Sequence, residues 1–419
     1  MNELLEKILS KDATISVIGL GYIGLPTSLI FADVGFTVYG YDANEKIVNA
    51  LKSGKTHIKE GGLQELLAKI LKRRSFVPDS KLHISDIYII AVPTPAVPKG
   101  DIKGADLSYV KSATENVAKI IQKSSLVVLE STVPPSTTVD LVGKLIEEKT
   151  GLKMSKDFYI AHCPERVLPG KILYELKNND RIIGAPDKDS LYLAKKLYES
   201  ILENGKVYTT TTETAELCKL VENAYRDVNI AFANELSMIA DKLGIDVFEL
   251  IKLANKHPRV NILRPGAGVG GHCIPVDPWS IVEKFPEEAK LIKTAREIND
   301  YKPQWVVKKI EKEIEYDKSK VIGILGLSYK ANVDDLRESP SIKIAKILQS
   351  KGYNVLGCEP YVGNKLIDGI ENLSLDETVE KADLLVLTTA HNQFIENMDI
   401  LKNKKVLDII GALESKGAD

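Results

Sequence analysis

Thr14-Ile15-Ser16-Val17-Ile18-Gly19-Leu20-Gly21-Tyr22-Ile23-Gly24 is the stretch that decides the fold. Its first five residues are largely apolar and β-branched and read as a buried strand. The next six match G-x-G-x-x-G and lead into a helix expected over about 23–34. The first glycine permits a tight turn, the second lets backbone approach a pyrophosphate, and the third lets helix and strand pack closely. The helix N-terminus adds unsatisfied N–H donors for an anion. The next strand, Thr37–Tyr41, ends at Asp42, whose carboxylate can accept from ribose hydroxyls and would repel a 2′-phosphate. Gly19, Gly21, Tyr22, Ile23, Gly24 and Asp42 are therefore the expected contacts of a dinucleotide, NAD in preference to NADP. Taken without its surroundings, the same turn could be a purely structural glycine corner.

Working outward, further strands are expected at 87–92, 126–130 and 158–161, alternating with helical patterns. Such alternation argues for a parallel, doubly wound sheet. The texture changes near residue 210. Thr212 to about Leu243 is helical in pattern, a Gly- and Pro-rich loop occupies 257–278, and another long helix is expected over about 287–316. Strand–helix alternation then returns, with strands at 320–326, 354–359, 382–387 and 405–410 and a helix at 341–351. The expected architecture is α/β: two Rossmann-like doubly wound domains, 1–209 and 317–419, joined by a central all-helical domain, 210–316. The third domain's turn, Gly323-Ile324-Leu325-Gly326-Leu327-Ser328-Tyr329, lacks the full glycine pattern, so a mononucleotide is expected there and not a second dinucleotide. The repeat reads as one of topology, not of motif.

Bulk properties narrow the function. The 56 basic and 58 acidic residues leave a formal net charge of −2, so nothing in the balance points to nucleic acid or an anionic membrane surface. The N-terminus has no basic stretch followed by an apolar run, and no apolar run approaches the ~20 residues that span a bilayer. A cytoplasmic protein is expected. Cys163, Cys218, Cys273 and Cys358 are expected as free thiols; no pair has C-x-x-C spacing, so no structural zinc site is expected.

The stretch Gly268-Val269-Gly270-Gly271-His272-Cys273-Ile274-Pro275-Val276-Asp277-Pro278 bears most on chemistry. Glycines allow close approach to a ligand, and a loop exposes a thiol. Cys273 can be a nucleophile if its thiolate is stabilised; the commoner fate of a cysteine is burial as an inert residue. Lys219 and Asn223 are spaced i, i+4 on the long helix and share a face. Together they can donate to a developing oxyanion, or they can be part of an ordinary solvated face.

Six stretches settle which reading to carry: GLGYIG at 19–24, ESTVPPST at 130–137, PERVLPG at 164–170, AELCKLVENAYRDVNIAFANEL at 215–236, GVGGHCIPVDP at 268–278 and GLSYKANVDDLRESP at 326–340. In these, over essentially its whole length, the chain resembles the UDP-glucose/GDP-mannose dehydrogenase family. The resemblance implies two successive NAD-dependent oxidations of a sugar C6 alcohol at one site, without release of the aldehyde. Cys273 would form a thiohemiacetal and then a thioester. Lys219 and Asn223 would stabilise the oxyanion, Thr132 and Asp277 would hold a water, and Glu165 would serve in acid–base work. Thr94, Thr132 and Arg337 are expected at the cofactor. Arg166, Val167, Lys219, Asn223, Gly266, Tyr329 and Lys330 are expected at a UDP-sugar substrate, with Arg337 also at its nucleotide end. Arg259 would reach across a homodimer into the neighbouring site. One departure stands out: Pro169 occupies a position where UDP-glucose members carry a second glutamate, which leaves the activator of the hydrolytic water unassigned.

The form of the cysteine loop resembles the branch acting on UDP-N-acetylhexosamines. UDP-N-acetylmannosamine is the expected substrate, ahead of UDP-N-acetylglucosamine and, further behind, UDP-glucose. Two rival classes are a β-hydroxyacid dehydrogenase, which needs neither the cysteine nor residues 320–419, and a non-enzymatic nucleotide sensor. The product ratio separates them: two NADH, one, or none per sugar.

Overall fold

The computed structural model describes residues 1–413 apart from 101, 169 and 402–403. It divides into two compact units, Met1–Val221 and Glu222–Asp419.

The first unit is built on an eight-stranded sheet: β1 (Thr14–Ile18), β2 (Thr37–Tyr41), β3 (Phe76–Asp79), β4 (Ile87–Ile90), β5 (Leu126–Leu129), β6 (Tyr159–His162), β7 (Arg181–Gly184) and β8 (Val207–Thr210). Their order across the sheet is 8-7-6-5-4-1-2-3. Pairing is parallel except between β6 and β7, joined antiparallel at His162 and Gly184. The run 3-2-1-4-5-6 is the doubly wound order, which reverses direction between β1 and β4 and opens a crevice there. Both faces are buried, because Ile15 and Val17 pack into one apolar cluster while Ile18 packs into another. Near-continuous apolar strands are what a parallel sheet covered on both sides requires. The helix α1 (Gly24–Asp33) starts directly from the glycine turn and is buried through Ala32. A separate antiparallel ribbon pairs Ala96–Lys99 with Ile102–Ala105.

The boundary between units falls within the long helix α2 (Thr212–Leu243). The second unit continues with α3 (Val247–Ala254), α4 (Asp277–Lys284) and α5 (Lys290–Glu313), the last with Pro303 inside it. A second sheet follows: β9 (Val321–Leu325), β10 (Asn354–Cys358), β11 (Leu366–Ile367), β12 (Ile370–Asn372), β13 (Leu384–Leu387) and β14 (Lys405–Asp408). Its order is 11-12-10-9-13-14, parallel except for the β11–β12 pair. Here the order reverses between β9 and β13. No helix among the described residues is long and apolar enough to cross a membrane.

Candidate active site

In the first unit the glycine turn lies at the switch point of the sheet. Gly19 has φ +93°, and a Cβ on it would stand 2.6 Å from the Ala91 carbonyl oxygen just beyond β4. A Cβ on Gly24 would fall 1.8 Å from the Gly19 oxygen, so these two positions exclude any side chain. A Cβ on Gly21 would meet no protein atom within 4 Å, which leaves the backbone open to an approaching pyrophosphate. The Gly19 N–H donates to Tyr41 O at 2.8 Å. The N–H groups of Leu20 and Asn44 donate to the two oxygens of Asp42 at 2.9 and 2.8 Å. These bonds fix the carboxylate at the end of β2, with acceptor capacity left for ribose hydroxyls. Tyr22 projects from the turn at 48% exposure, and Ile23 precedes the first helical residue. His57, which sequence reading passed over, lies near Asp42; burial pulls its pKa below the ordinary histidine value against the pull of that carboxylate. The residues present suit NAD.

Thr94 Oγ1 donates to Thr132 O at 2.7 Å, and Ser131 Oγ donates to Val92 O at 2.8 Å. The loops leaving β4 and β5 are thus tied together beside the switch point. Glu165 lies deeper, 8% exposed. One of its oxygens accepts from Arg181 Nη1 at 3.0 Å and the other from the Arg166 N–H at 2.6 Å. Arg181 is itself buried and lies over the Tyr198 ring, 5.1 Å from its centroid. The Tyr198 hydroxyl donates to Glu130 at 2.6 Å, and burial pushes the Glu130 carboxyl up to about 7. Glu130, Arg181 and Tyr198 are site neighbours that sequence reading did not find. Arg166 donates to the Asp180 carbonyl, and Val167 packs against the main core. Pro169 lies outside the described residues.

In the second unit the cysteine loop is shaped by Tyr329. A Cβ on Gly270 would stand 2.5 Å from Tyr329 Cβ, and one on Gly271, where φ is +87°, 3.0 Å from the ring. The glycines let this aromatic side chain lie against the loop. The Gly271 N–H donates to Arg337 O at 2.9 Å, while the Arg337 guanidinium grips Asp335 at 2.9 and 2.6 Å. The Tyr329 hydroxyl has a raised pKa, chiefly from burial and then from Asp335. Cys273 is partly exposed. Its carbonyl accepts from the N–H groups of Val276 and Asp277 at 3.0 and 2.8 Å, so it opens the turn that leads into α4. Cys163 and Cys358 differ: both are buried, and burial pushes each thiol up to about 12.

Asn223 Nδ2 donates to Asp277 Oδ2 at 2.5 Å, and Arg226 donates to Asn223 Oδ1. Asp277 is the first residue of α4. The second unit therefore brings Asn223, Asp277 and the cysteine loop together. Lys219 stands one turn earlier on α2 and belongs to the first unit. The Gly266 N–H donates to Asn234 Oδ1 at 2.9 Å. Lys330 is exposed, and its carbonyl accepts from Ser328 Oγ at 3.0 Å. Arg259 is exposed on the segment after α3, its N–H directed at His257 Nδ1. Among the described residues no group of His, Cys, Asp and Glu could hold a metal.

Comparison with known proteins accounts for this assembly. The models of the UDP-glucose/GDP-mannose dehydrogenase family match in order: its NAD binding domain at residues 13–202, its central domain at 213–301 and its UDP binding domain at 323–418. The chain belongs to this family and is an NAD-dependent nucleotide-sugar dehydrogenase. A UDP-N-acetyl-D-mannosamine dehydrogenase from Methanocaldococcus jannaschii is 47% identical over 403 residues, covering 94% of this chain and 91% of that protein. An NDP-N-acetyl-D-galactosaminuronic acid dehydrogenase from Ralstonia nicotianae is 45% identical over 413 residues, covering 96% and 97%. The solved structure of a UDP-N-acetyl-mannosamine dehydrogenase from Staphylococcus aureus superposes with a TM-score of 0.87 at 40% identity, covering 96% of each chain.

Proposed function

We propose that the enzyme oxidises the C6 alcohol of UDP-N-acetyl-D-mannosamine to the uronate, and that Cys273 carries the sugar between two oxidations. The observation behind the covalent part is the placement of Cys273, partly exposed in the turn before α4 on a glycine-held loop beside the Asn223–Asp277 pair. The sugar assignment draws on the mannosamine-acting relatives and on the form of that loop.

Bound NAD supplies the hydride acceptor, once for each oxidation. The chain's own groups do the rest. The alcohol loses a proton to a base and a hydride, giving the aldehyde. The Cys273 thiolate attacks the aldehyde carbon, and the oxyanion so formed takes hydrogen bonds from Lys219 and Asn223 before protonation to the thiohemiacetal. Loss of the second hydride and of the hydroxyl proton leaves a thioester. A water held by Thr132 and Asp277 attacks it, expelling the Cys273 thiolate and releasing the carboxylate. Each alcohol thus consumes two NAD and one water and yields two NADH. In this scheme Glu165, steered by Arg181, assists proton transfer.

A dimer fits the surface of α2. Tyr225, Phe232 and Ile239 recur at heptad spacing on that helix and are 71%, 53% and 49% exposed, with Leu243 at 67% completing an apolar stripe. A second copy laid along the stripe would bury it, and closed two-fold pairing is the commonest oligomer. In this reading Arg259, exposed on the segment after α3, serves the partner's substrate.

The test is a panel of UDP-sugars with NAD, with NADH and sugar acid measured together. UDP-N-acetylmannosamine should be turned over fastest, with two NADH per acid. A faster reaction with UDP-N-acetylglucosamine would favour the runner-up of the sequence reading, and one with UDP-N-acetylgalactosamine a likeness to the Ralstonia relative. UDP-glucose as the best substrate would overturn the N-acetylhexosamine assignment.

A further inference from the structure

A side-chain amide has an oxygen end and a nitrogen end of nearly the same shape, so its neighbours decide which way it points. Asn223 is 1% exposed and stands between two charged groups of opposite kind. On one side is the Asp277 carboxylate, which can only accept; on the other is the Arg226 guanidinium, which can only donate. The arrangement Arg226–Oδ1 and Nδ2–Asp277 makes two charge-assisted bonds. Turning the amide over would set oxygen against carboxylate and NH2 against guanidinium, losing both. Arg226 lies three residues after Asn223 on α2, so helical geometry brings the two side chains together without further support.

We infer that Arg226 is a positioning residue: it holds the Asn223 amide with its nitrogen toward Asp277 and the cysteine loop, as an oxyanion donor must be held. The amide nitrogen carries two hydrogens. Asp277 takes one, and the second serves the oxyanion. The inference rests on the proposed donor role of Asn223. It adds that the donor's polarity is set by a cation three residues along the same helix.

The experiment is a double-mutant cycle on the full chain, with NAD and the UDP-sugar that the panel shows to be fastest. Arg226→Met should lower kcat by up to about 10²-fold, toward the loss expected for one oxyanion donor, with KM for NAD unchanged. Arg226→Lys restores a donor to Oδ1 and should recover most of the rate. With Asn223→Ala already present, adding Arg226→Met should cost little more, because there is no amide left to orient. Losses that multiply, or a fully active Arg226→Met enzyme, would overturn the inference. An Arg226→Lys enzyme as slow as Arg226→Met would do the same, provided thermal melts show both folded. The donor reading fails separately: in that case Asn223→Ala alone keeps the wild-type kcat.

Discussion

Glu359 makes in the second unit the bonds that Asp42 makes in the first. Asp42 follows β2 and accepts from the N–H groups of Leu20 and Asn44. Glu359 follows β10 and accepts from those of Leu327 and Tyr361, at 2.8 and 3.1 Å. The turn glycines match as well, with Gly326 donating to Cys358 O at 2.9 Å as Gly19 donates to Tyr41 O at 2.8 Å. The repeat therefore extends from topology to hydrogen bonding, further than the sequence reading had it. The surroundings differ. Asp42 is partly exposed, whereas Glu359 is 2% exposed and also accepts from Ser328 N–H and His391 Nε2. His391 Nδ1 accepts from the Asn332 N–H, so Nε2 carries a proton, within reach of Glu359 Oε2 at 3.0 Å and Ser328 Oγ at 3.1 Å. Burial pushes the Glu359 carboxyl up, but the bonds from His391 and Ser328 outweigh it and hold the pKa below the ordinary value.

From this comparison one NAD per chain is expected. A ribose-binding acid must keep acceptor capacity facing solvent, and that of Glu359 is taken up inside the protein. Thr389 also packs over the second turn, 2.4 Å from where a Cβ on Gly326 would be. Calorimetric titration of the enzyme with NAD should give a stoichiometry of one. A second site of comparable affinity, lost on Glu359→Gln, would refute the argument.

Asp42→Ala should lower the efficiency with NAD and narrow its lead over NADP. The carboxylate would no longer repel a 2′-phosphate, and the N–H groups of Leu20 and Asn44 would lose their acceptors. A loss of about 10-fold or more in kcat/KM with NAD corresponds to one or two hydrogen bonds to a charged group. The ratio of kcat/KM for the two cofactors is the measurement. An unchanged ratio would remove Asp42 from cofactor selection.

The alternation of elements was legible because each central strand of the first sheet is apolar on both faces and is bounded by turn residues. Strand β3 was missed: Pro78 argues against a strand, yet β3 lies at the sheet edge, where a missing N–H is tolerated. Strand β7 was missed for another reason. Arg181 reads as a surface residue until the fold supplies Glu165 from β6's end and Tyr198 from a helix. Cys273 stood out as a candidate through the glycines around it, whereas Asp277 was named only through the family resemblance. Arg226 did not stand out, because a cation on a helix ordinarily faces water, and only the pairing of α2 with α4, which sets Asp277 against Asn223 Nδ2, gives its bond to Asn223 Oδ1 an orienting role.

Lys302→Met should stabilise the enzyme. Lys302 is 1% exposed on α5, bonded to Ser237 Oγ, with its ammonium 4.0 Å from the Trp305 ring centroid. Burial, with Lys309 nearby, pulls its pKa down to about 7. In the unfolded chain a lysine titrates near ~10.4. Between these values the unfolded chain binds more protons than the folded one, so stability rises with pH across that window, and the penalty is complete below about pH 7. Methionine fills a similar volume, and Ser237 keeps its bond to Asn234 O. A gain of about 2 kcal/mol is expected at about pH 7, shrinking toward pH 10. Thermal melts of both proteins at the two pH values test this; a variant less stable at neutral pH would contradict it.

Phe232→Glu should break the proposed dimer. A carboxylate in the middle of the α2 stripe would have to be buried unpaired against a second copy, which costs several kcal/mol. Sedimentation should show a monomer with an unchanged circular dichroism spectrum. If Arg259 serves the partner's site, this monomer should also lose turnover. An active monomer would confine Arg259 to its own chain, and an unperturbed dimer would move the interface elsewhere.

Cys273→Ala should fold, bind NAD and UDP-sugar, and make no sugar acid. The change removes only a sulfur from a partly exposed loop position, and the bonds from Val276 and Asp277 to the residue 273 carbonyl do not involve the side chain. Without the thiol the aldehyde cannot become a thiohemiacetal, so the second hydride has no competent donor carbon. The first oxidation needs only a positioned cofactor and a base, so a slow, reversible first half should survive. Lys219→Ala should behave differently. It removes one oxyanion donor, worth about 10²–10³ in rate at comparable sites, and leaves the covalent path in place. Mass spectrometry of products and of intact protein separates the two. Wild-type enzyme stopped in turnover should carry a sugar adduct on Cys273, Lys219→Ala should carry it at a lower rate of formation, and Cys273→Ala should carry none. Sugar acid formed by Cys273→Ala at the wild-type rate would end the covalent proposal.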